Sequence, residues 1–130
     1  MRECKMMKNK INFYDGFIQD DVIWFSNLNH NALMTLNLKN GQISSIARFP
    51  GCKSYQNNLH IRVIENNGKL YFVPRNGNFV HVFSLEKMIF EENISLPYLD
   101  NNNSANALID KSGRIWIIPA YFKKGIVILN

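Results

Sequence analysis

The chain has 130 residues, 46% hydrophobic, 12% aromatic and 19% charged, a balance that excludes disorder and suits one ordinary domain with a real core. Of its formal net charge of +5, most sits at the start: Arg2, Lys5, Lys8 and Lys10 oppose Glu3, leaving eleven basic and nine acidic groups for everything after. The folded part is therefore nearly neutral and carries no strong nucleic-acid signal.

Residues 1–10 are read as a basic, flexible tail, and 11–130 as one repeat domain. The tail lacks the apolar stretch and small-residue cleavage site of a secretory signal. No later stretch reaches the roughly 18 unbroken apolar residues of a membrane span; the longest candidate is broken by Pro119, Lys123 and Lys124. A cytoplasmic location is expected. Cys4 and Cys52 belong to no ligand-spaced cluster and are read as free thiols.

From residue 11 onward the chain repeats. Similar segments start at Asp20 (DDVIWFSNLNHNALMTLNL), Asn67 (NGKLYFVPRNGNFVHVFSL) and Ser112 (SGRIWIIPAYFKKGIVILN), 47 and then 45 residues apart. That period lies in the range of four-stranded repeats and far from the shorter helical ones. In each unit a short apolar pair (Phe17-Ile18, Val63-Ile64, Leu108-Ile109) runs into a turn, where Gly68 and Gly113 supply the left-handed conformation. A second strand follows, in which Ile23, Leu70 and Ile115 correspond, as do Trp24, Tyr71 and Trp116. This repeated core is expected to pack between adjacent units. A polar loop and a third alternating strand come next, and QISSIARFPG (42–51) and IFEENISLP (89–97) read as fourth strands. The units are placed at about 11–58, 59–104 and 105–130.

No helical periodicity interrupts this pattern, so the fold class is all-β. The expected architecture is a partial β-propeller of consecutive four-stranded antiparallel blades; a small β-sandwich or barrel is the competing arrangement. Nineteen asparagines, many in turns, fit the same picture.

DKSGRIWIIP (110–119) and ENNGKLYFVP (65–74) resemble the D-x-x-G-x-Φ-W/Y-Φ pattern of bacterial propeller repeats, as in the propellers of two-component regulators, and are similar to kelch-like or galactose-oxidase-like propeller proteins. The double glycine of true kelch repeats and the Trp-Asp of WD repeats are absent. The resemblance implies a fold across residues 17–130, of two and a half to three blades, and leaves function open, because propellers host enzymes, lectins, sensors and scaffolds. Fewer than four blades do not close a ring, so self-association through open sheet edges or blade faces is expected.

No residues are assigned as catalytic. Asp20, Asp21, Glu65 and Asp110 recur at one turn, which marks a structural role; no serine lies in a nucleophile elbow; and the isolated glycines form no phosphate loop. His30, His60 and His81 fall in a loop, a strand start and a strand interior, so no metal site and no cofactor is expected, and His81 is read as facing outward or between blades. What remains is a non-catalytic binding module for a glycan or protein, or else a fragment of a larger propeller enzyme, such as a carbohydrate-active hydrolase or lyase, with its catalytic residues elsewhere. The loops after the second strands and the linkers between units form one rim, on which Asn29, His30, Tyr55, Arg75, Asn76, Tyr121 and Lys123 are the candidate ligand-binding residues: planar hydrogen-bonding groups, a cation and rings that stack.

Overall fold

The computed structural model describes residues 11–75, 77–96, 105–119 and 125–130. They form antiparallel strands and no helix, gathered into three sheets that follow one another along the chain. The first sheet is β1 (Gly16–Gln19), β2 (Val22–Ser26), β3 (Leu33–Asn37) and β4 (Ile43–Ala47), paired in that order. The second runs β5 (His60–Asn66), β6 (Lys69–Pro74) and β7 (Phe79–Ser84), and then β7 pairs with both β8 (Ile89–Phe90) and β9 (Ile94–Ser95). The third is β10 (Ala105–Ile109), β11 (Ile115–Pro119) and β12 (Val127–Leu129).

Turn chemistry sets the first hairpin of each unit. Asn67 and Gly68 both have positive φ, 50° and 76°, the pair that a two-residue hairpin needs to match strand twist. The first unit solves the same problem without glycine, through Asp20 and Asp21 at 51° and 62°, a conformation that aspartate tolerates better than most side chains. In the third unit Asp110 braces a wider turn: its Oδ1 accepts the backbone N–H groups of Ser112 and Arg114, and Oδ2 accepts the Trp116 indole N–H at 2.8 Å. That indole bond, followed by the Arg114 and Ser112 donors, holds the Asp110 carboxyl well below the usual carboxylate range.

The fourth strand of the second unit departs from the single run expected over 89–97. Glu91 to Asn93 separate β8 from β9, while the Glu91 N–H still reaches the Val82 carbonyl at 2.8 Å. A polar Glu-Glu-Asn stretch offers no apolar side chain to the sheet face, so the strand breaks there and resumes at Ile94.

Strand alternation gives every sheet two faces. One carries the Trp24/Tyr71/Trp116 positions and the other the Ile23/Leu70/Ile115 positions. Between sheets one and two, Phe17, Trp24, Leu33 and Ile46 pack against Val63, Leu70, Phe72 and Phe83, with Trp24 and Phe83 ring centroids 5.7 Å apart. Between sheets two and three, Ile64, Tyr71, Val73, Val80 and Val82 pack against Ala107, Ile115 and Ile117. Each interface thus joins the Trp/Tyr face of one sheet to the Ile/Leu face of the next. The first strands gather on one side, with β5 beside both β1 and β10; the Asp15 carboxylate ties β1 to β5 by accepting the Val63 N–H at 3.1 Å. This is the face-to-face order of propeller blades, an all-β succession of antiparallel sheets with no closed barrel among the described residues.

Trp116 departs from the packing expected of its repeat position. It lies half-buried on the outer face of the third sheet, because no sheet follows among the described residues. The arginine of Arg114 covers its ring at 5.6 Å, in place of a neighbouring blade.

Asn31 locks the first linker to the first sheet. Its side chain, 2% exposed, accepts the Phe49 N–H at 2.7 Å and donates to the Phe49 and Cys52 carbonyls at 3.1 Å each. Asn31→Ala removes all three partners from buried backbone, and a loss of about 1–3 kcal/mol in urea unfolding is expected; an unchanged midpoint would show that water replaces the clamp.

Candidate functional site

The loop β2–β3 (27–32), residues 75, 77 and 78 between β6 and β7, and the linker β4–β5 (48–59) lie at one end of the sheets. Backbone bonds knit them: Asn58 donates to Leu28 at 2.8 Å, Asn31 to Ser54 at 3.3 Å, and Arg75 to Leu59 at 2.8 Å. Two polar groupings sit at this end, one exposed and one sealed.

The exposed grouping centres on Arg75, the first residue after β6. Its guanidinium carbon lies 4.8 Å from the centroid of the Tyr14 ring, and Nη1 donates to the Tyr14 hydroxyl and to Asn58 Oδ1, the latter at 3.3 Å. Tyr14, half-exposed, enters from the segment preceding β1. Tyr55 stands out from the linker at 71% exposure, with the Lys53 ammonium 5.8 Å above its ring. Asn29 and His30 are exposed in the β2–β3 loop, where the Asn29 N–H turns back onto Asn27 Oδ1 at 2.9 Å. Of the residues singled out from sequence, Asn29, His30, Tyr55 and Arg75 share this end; Asn76, Tyr121 and Lys123 lie outside the described residues. Sequence reasoning missed Tyr14, which precedes the repeat and has no counterpart in the other units. The only signal was an aromatic pair, Phe13-Tyr14, just ahead of a strand.

The sealed grouping is a hydrogen-bonded chain across the interface of sheets one and two. Ser26 Oγ lies 2.7 Å from His60 Nδ1, His60 Nε2 lies 2.8 Å from His81 Nδ1, and His81 Nε2 lies 2.9 Å from the Pro50 carbonyl. A carbonyl only accepts, so the direction is fixed: His81 donates to Pro50, His60 donates to His81, and Ser26 donates to His60. Both rings are neutral in this arrangement. Burial pushes both imidazoles below the ordinary histidine range, His60 furthest, with the His81 charge adding to the effect there. Cys52 Sγ lies 3.8 Å from His81 Nε2, its thiol pushed up by burial.

This chain places His81 between sheets one and two, the second of the two positions expected of it. His81 is 3% exposed, His60 3% and Ser26 5%, and the Phe49 ring walls both imidazoles at 4.3 and 5.2 Å. A serine paired to a histidine has the outline of a nucleophile and base, but here neither meets solvent. Nothing in one strand's alternation announces the chain, since its members come from two sheets and a linker.

Neither a family model nor a curated protein matches the sequence. Among solved structures, fifteen chains match. One is the extracellular domain of BT4673 from B. thetaiotaomicron, described as a one-component system, with a TM-score of 0.65 and 13% identity over 95% of this chain. This chain spans 15% of the length of that solved domain's chain, and the likeness is one of fold alone. A second, the N-terminal domain of Nup159, overlaps at a TM-score of 0.44 with 16% identity, covering 88% of this chain and 29% of that one.

Proposed function

We propose that the protein is a non-catalytic binding module that engages a glycan or a protein segment through the loop end of its sheets. The observation that supports this reading is Arg75: a guanidinium held by Tyr14 and Asn58 is oriented before any ligand arrives, which lowers the entropy cost of binding. Its planar fork suits a carboxylate, in two parallel hydrogen bonds, and Tyr55 adds an exposed ring for stacking against a sugar or a side chain. The complementary ligand is therefore an acidic one, a uronate-bearing oligosaccharide or an acidic peptide.

Calorimetric titration with oligogalacturonate and with an Asp/Glu-rich peptide tests this. One of the two is expected to bind, and Arg75→Ala to weaken it tenfold or more, the scale of one charge-assisted hydrogen bond of about 1.5–3 kcal/mol. Binding of neither ligand, or equal binding by the variant, overturns the reading.

A further inference from the structure

Residues 50–58 cross the end of the first two sheets between two buried anchors, Phe49 at 1% and Leu59 at 2% exposure. Between the anchors no residue is fully buried, and most stand in solvent. Hydrogen bonds carry the attachment. The Pro50 carbonyl accepts from His81 Nε2 at 2.9 Å and Asn93 Nδ2 at 3.3 Å, and the Cys52 carbonyl accepts from Asn31 Nδ2 at 3.1 Å. The Ser54 carbonyl accepts the Asn31 N–H at 3.3 Å, and the Asn58 N–H donates to the Leu28 carbonyl at 2.8 Å. A segment with few buried apolar contacts opens at lower free energy than the ladders beside it. Gly51 and Asn58, with φ of 79° and 50°, mark turns close to the two anchors, where a hinge can absorb the change.

The same segment covers one edge of His81. Its Nε2 faces the Pro50 carbonyl and the Cys52 sulfur, both in 50–58, whereas its Nδ1 is bonded inward to His60. Lifting the segment therefore admits water to His81 first, while the Phe49 ring still walls His60. An added proton is then accommodated by reversal of the chain: His81 donates from both nitrogens, to water and to His60 Nε2, and His60 carries its hydrogen on Nδ1, where the Ser26 hydroxyl accepts it. The surrounding charges leave this step open. The Cys52 thiol, pushed up by burial, stays neutral; Lys53 in the segment and Arg48 just before it are cations; and Glu91, between β8 and β9, is held by Lys69 at 2.8 Å. Among the described residues no carboxylate bonds to either imidazole.

We propose that residues 50–58 form a pH-sensitive flap, which lifts as a unit between its two anchors and is released as His81 takes up a proton. Tyr55 and Asn58 travel with it, so the open form lacks two groups of the loop end. That consequence rests on the binding reading above; the flap itself does not.

Amide hydrogen exchange followed by NMR tests this without a ligand, each rate being compared with that of an unstructured chain at the same pH. The Asn31 and Asn58 amides are expected to be less protected than those of the β6–β7 ladder at pH 7.5. Their protection should fall about tenfold by pH 5.5, the factor for one imidazole that titrates near 6.5 when open and stays neutral when closed. His81→Gln, which still offers Pro50 a donor and His60 an acceptor, should abolish that fall. Asn93→Ala removes one bond to the Pro50 carbonyl from a half-buried side chain and should lower protection at both pH values while leaving the tenfold step in place. Asn31 and Asn58 amides that exchange only with the ladder, protection that does not fall with pH, a fall that persists in His81→Gln, or exchange indifferent to Asn93→Ala would each overturn the flap. Any acidic ligand found by calorimetry is expected to raise Asn58 protection; failure of every ligand to bind overturns the binding reading, and the exchange measurement still decides the flap.

Discussion

Replacing Phe49 with alanine is expected to cost about 3–5 kcal/mol, the range for emptying a large buried aromatic site. Phe49 belongs to the linker between the first two sheets rather than to a strand, yet it is 1% exposed. Its ring meets Phe72 at 5.0 Å and Phe90 at 5.3 Å, in addition to the two imidazoles. The cavity cannot close by rotation of one neighbour, because sheet one and sheet two both wall it and Asn31 pins the Phe49 backbone. Urea unfolding reads the loss directly. Phe49→Leu, which keeps much of the volume, is expected to lose distinctly less. A cost below about 1 kcal/mol for the alanine variant would show that the linker ring is peripheral to the core.

Acidification from pH 7.5 to 5.5 is expected to destabilise the fold steeply. His60 and His81 are held neutral by burial and by the fixed direction of their hydrogen bonds. Adding a proton to His81 Nδ1 would set it against the His60 N–H, whereas a proton on His60 Nδ1 would turn the Ser26 hydroxyl from donor to acceptor. In the unfolded chain both titrate near the ordinary value of about 6.5. Because the folded values are lowered, the full stability is present above the unfolded value and falls as pH drops below it, where the unfolded state binds protons that the folded state refuses. The slope is bounded by about 1.4 kcal/mol per pH unit for each histidine that stays neutral in the fold. Stability measured by urea at several pH values tests this above the range where carboxylates titrate. His30→Gln, at an exposed site, should keep the slope, and His60→Gln/His81→Gln should lose it whatever its absolute stability. A flat wild-type profile would mean that the rings accept protons in the folded state.

The same two histidines show how far a single chain can be read by eye. His81 alternates with Val80 and Val82, which places it on one sheet face, but both faces of the second sheet are covered, so alternation could not separate outward from inward. Its partners are His60 and Pro50, 21 and 31 residues earlier in the sequence, with Ser26 joined through His60, and no spacing rule links them. At the candidate ligand site, Arg75 was legible as a cation just beyond a strand-ending proline. Tyr14, which orients it, was hidden because a repeat-based reading gives no weight to residues outside the repeat. The split of β8 from β9 was missed for a similar reason: a run of apolar residues on both sides of Glu91 and Glu92 reads as one strand unless cross-strand pairing is known.

By itself, the sequence determined the all-β class, the order of hairpins and the turns that bound them, because strand alternation and the left-handed demands of residues such as Asn67 and Gly68 are local and act within a few residues. It also determined the aromatic and aliphatic faces, since the period-two pattern repeats from unit to unit. Tertiary structure decided which of those faces are covered. Trp24 and Tyr71 are packed by a following sheet while Trp116, at the same repeat position, meets Arg114 and solvent. It also decided that two histidines from different strands and a serine from another sheet form one proton-ordered chain. The physical reason is the same in both cases: burial and hydrogen-bond partnership are properties of surfaces brought together from distant segments, and a local pattern specifies a surface without specifying its neighbour.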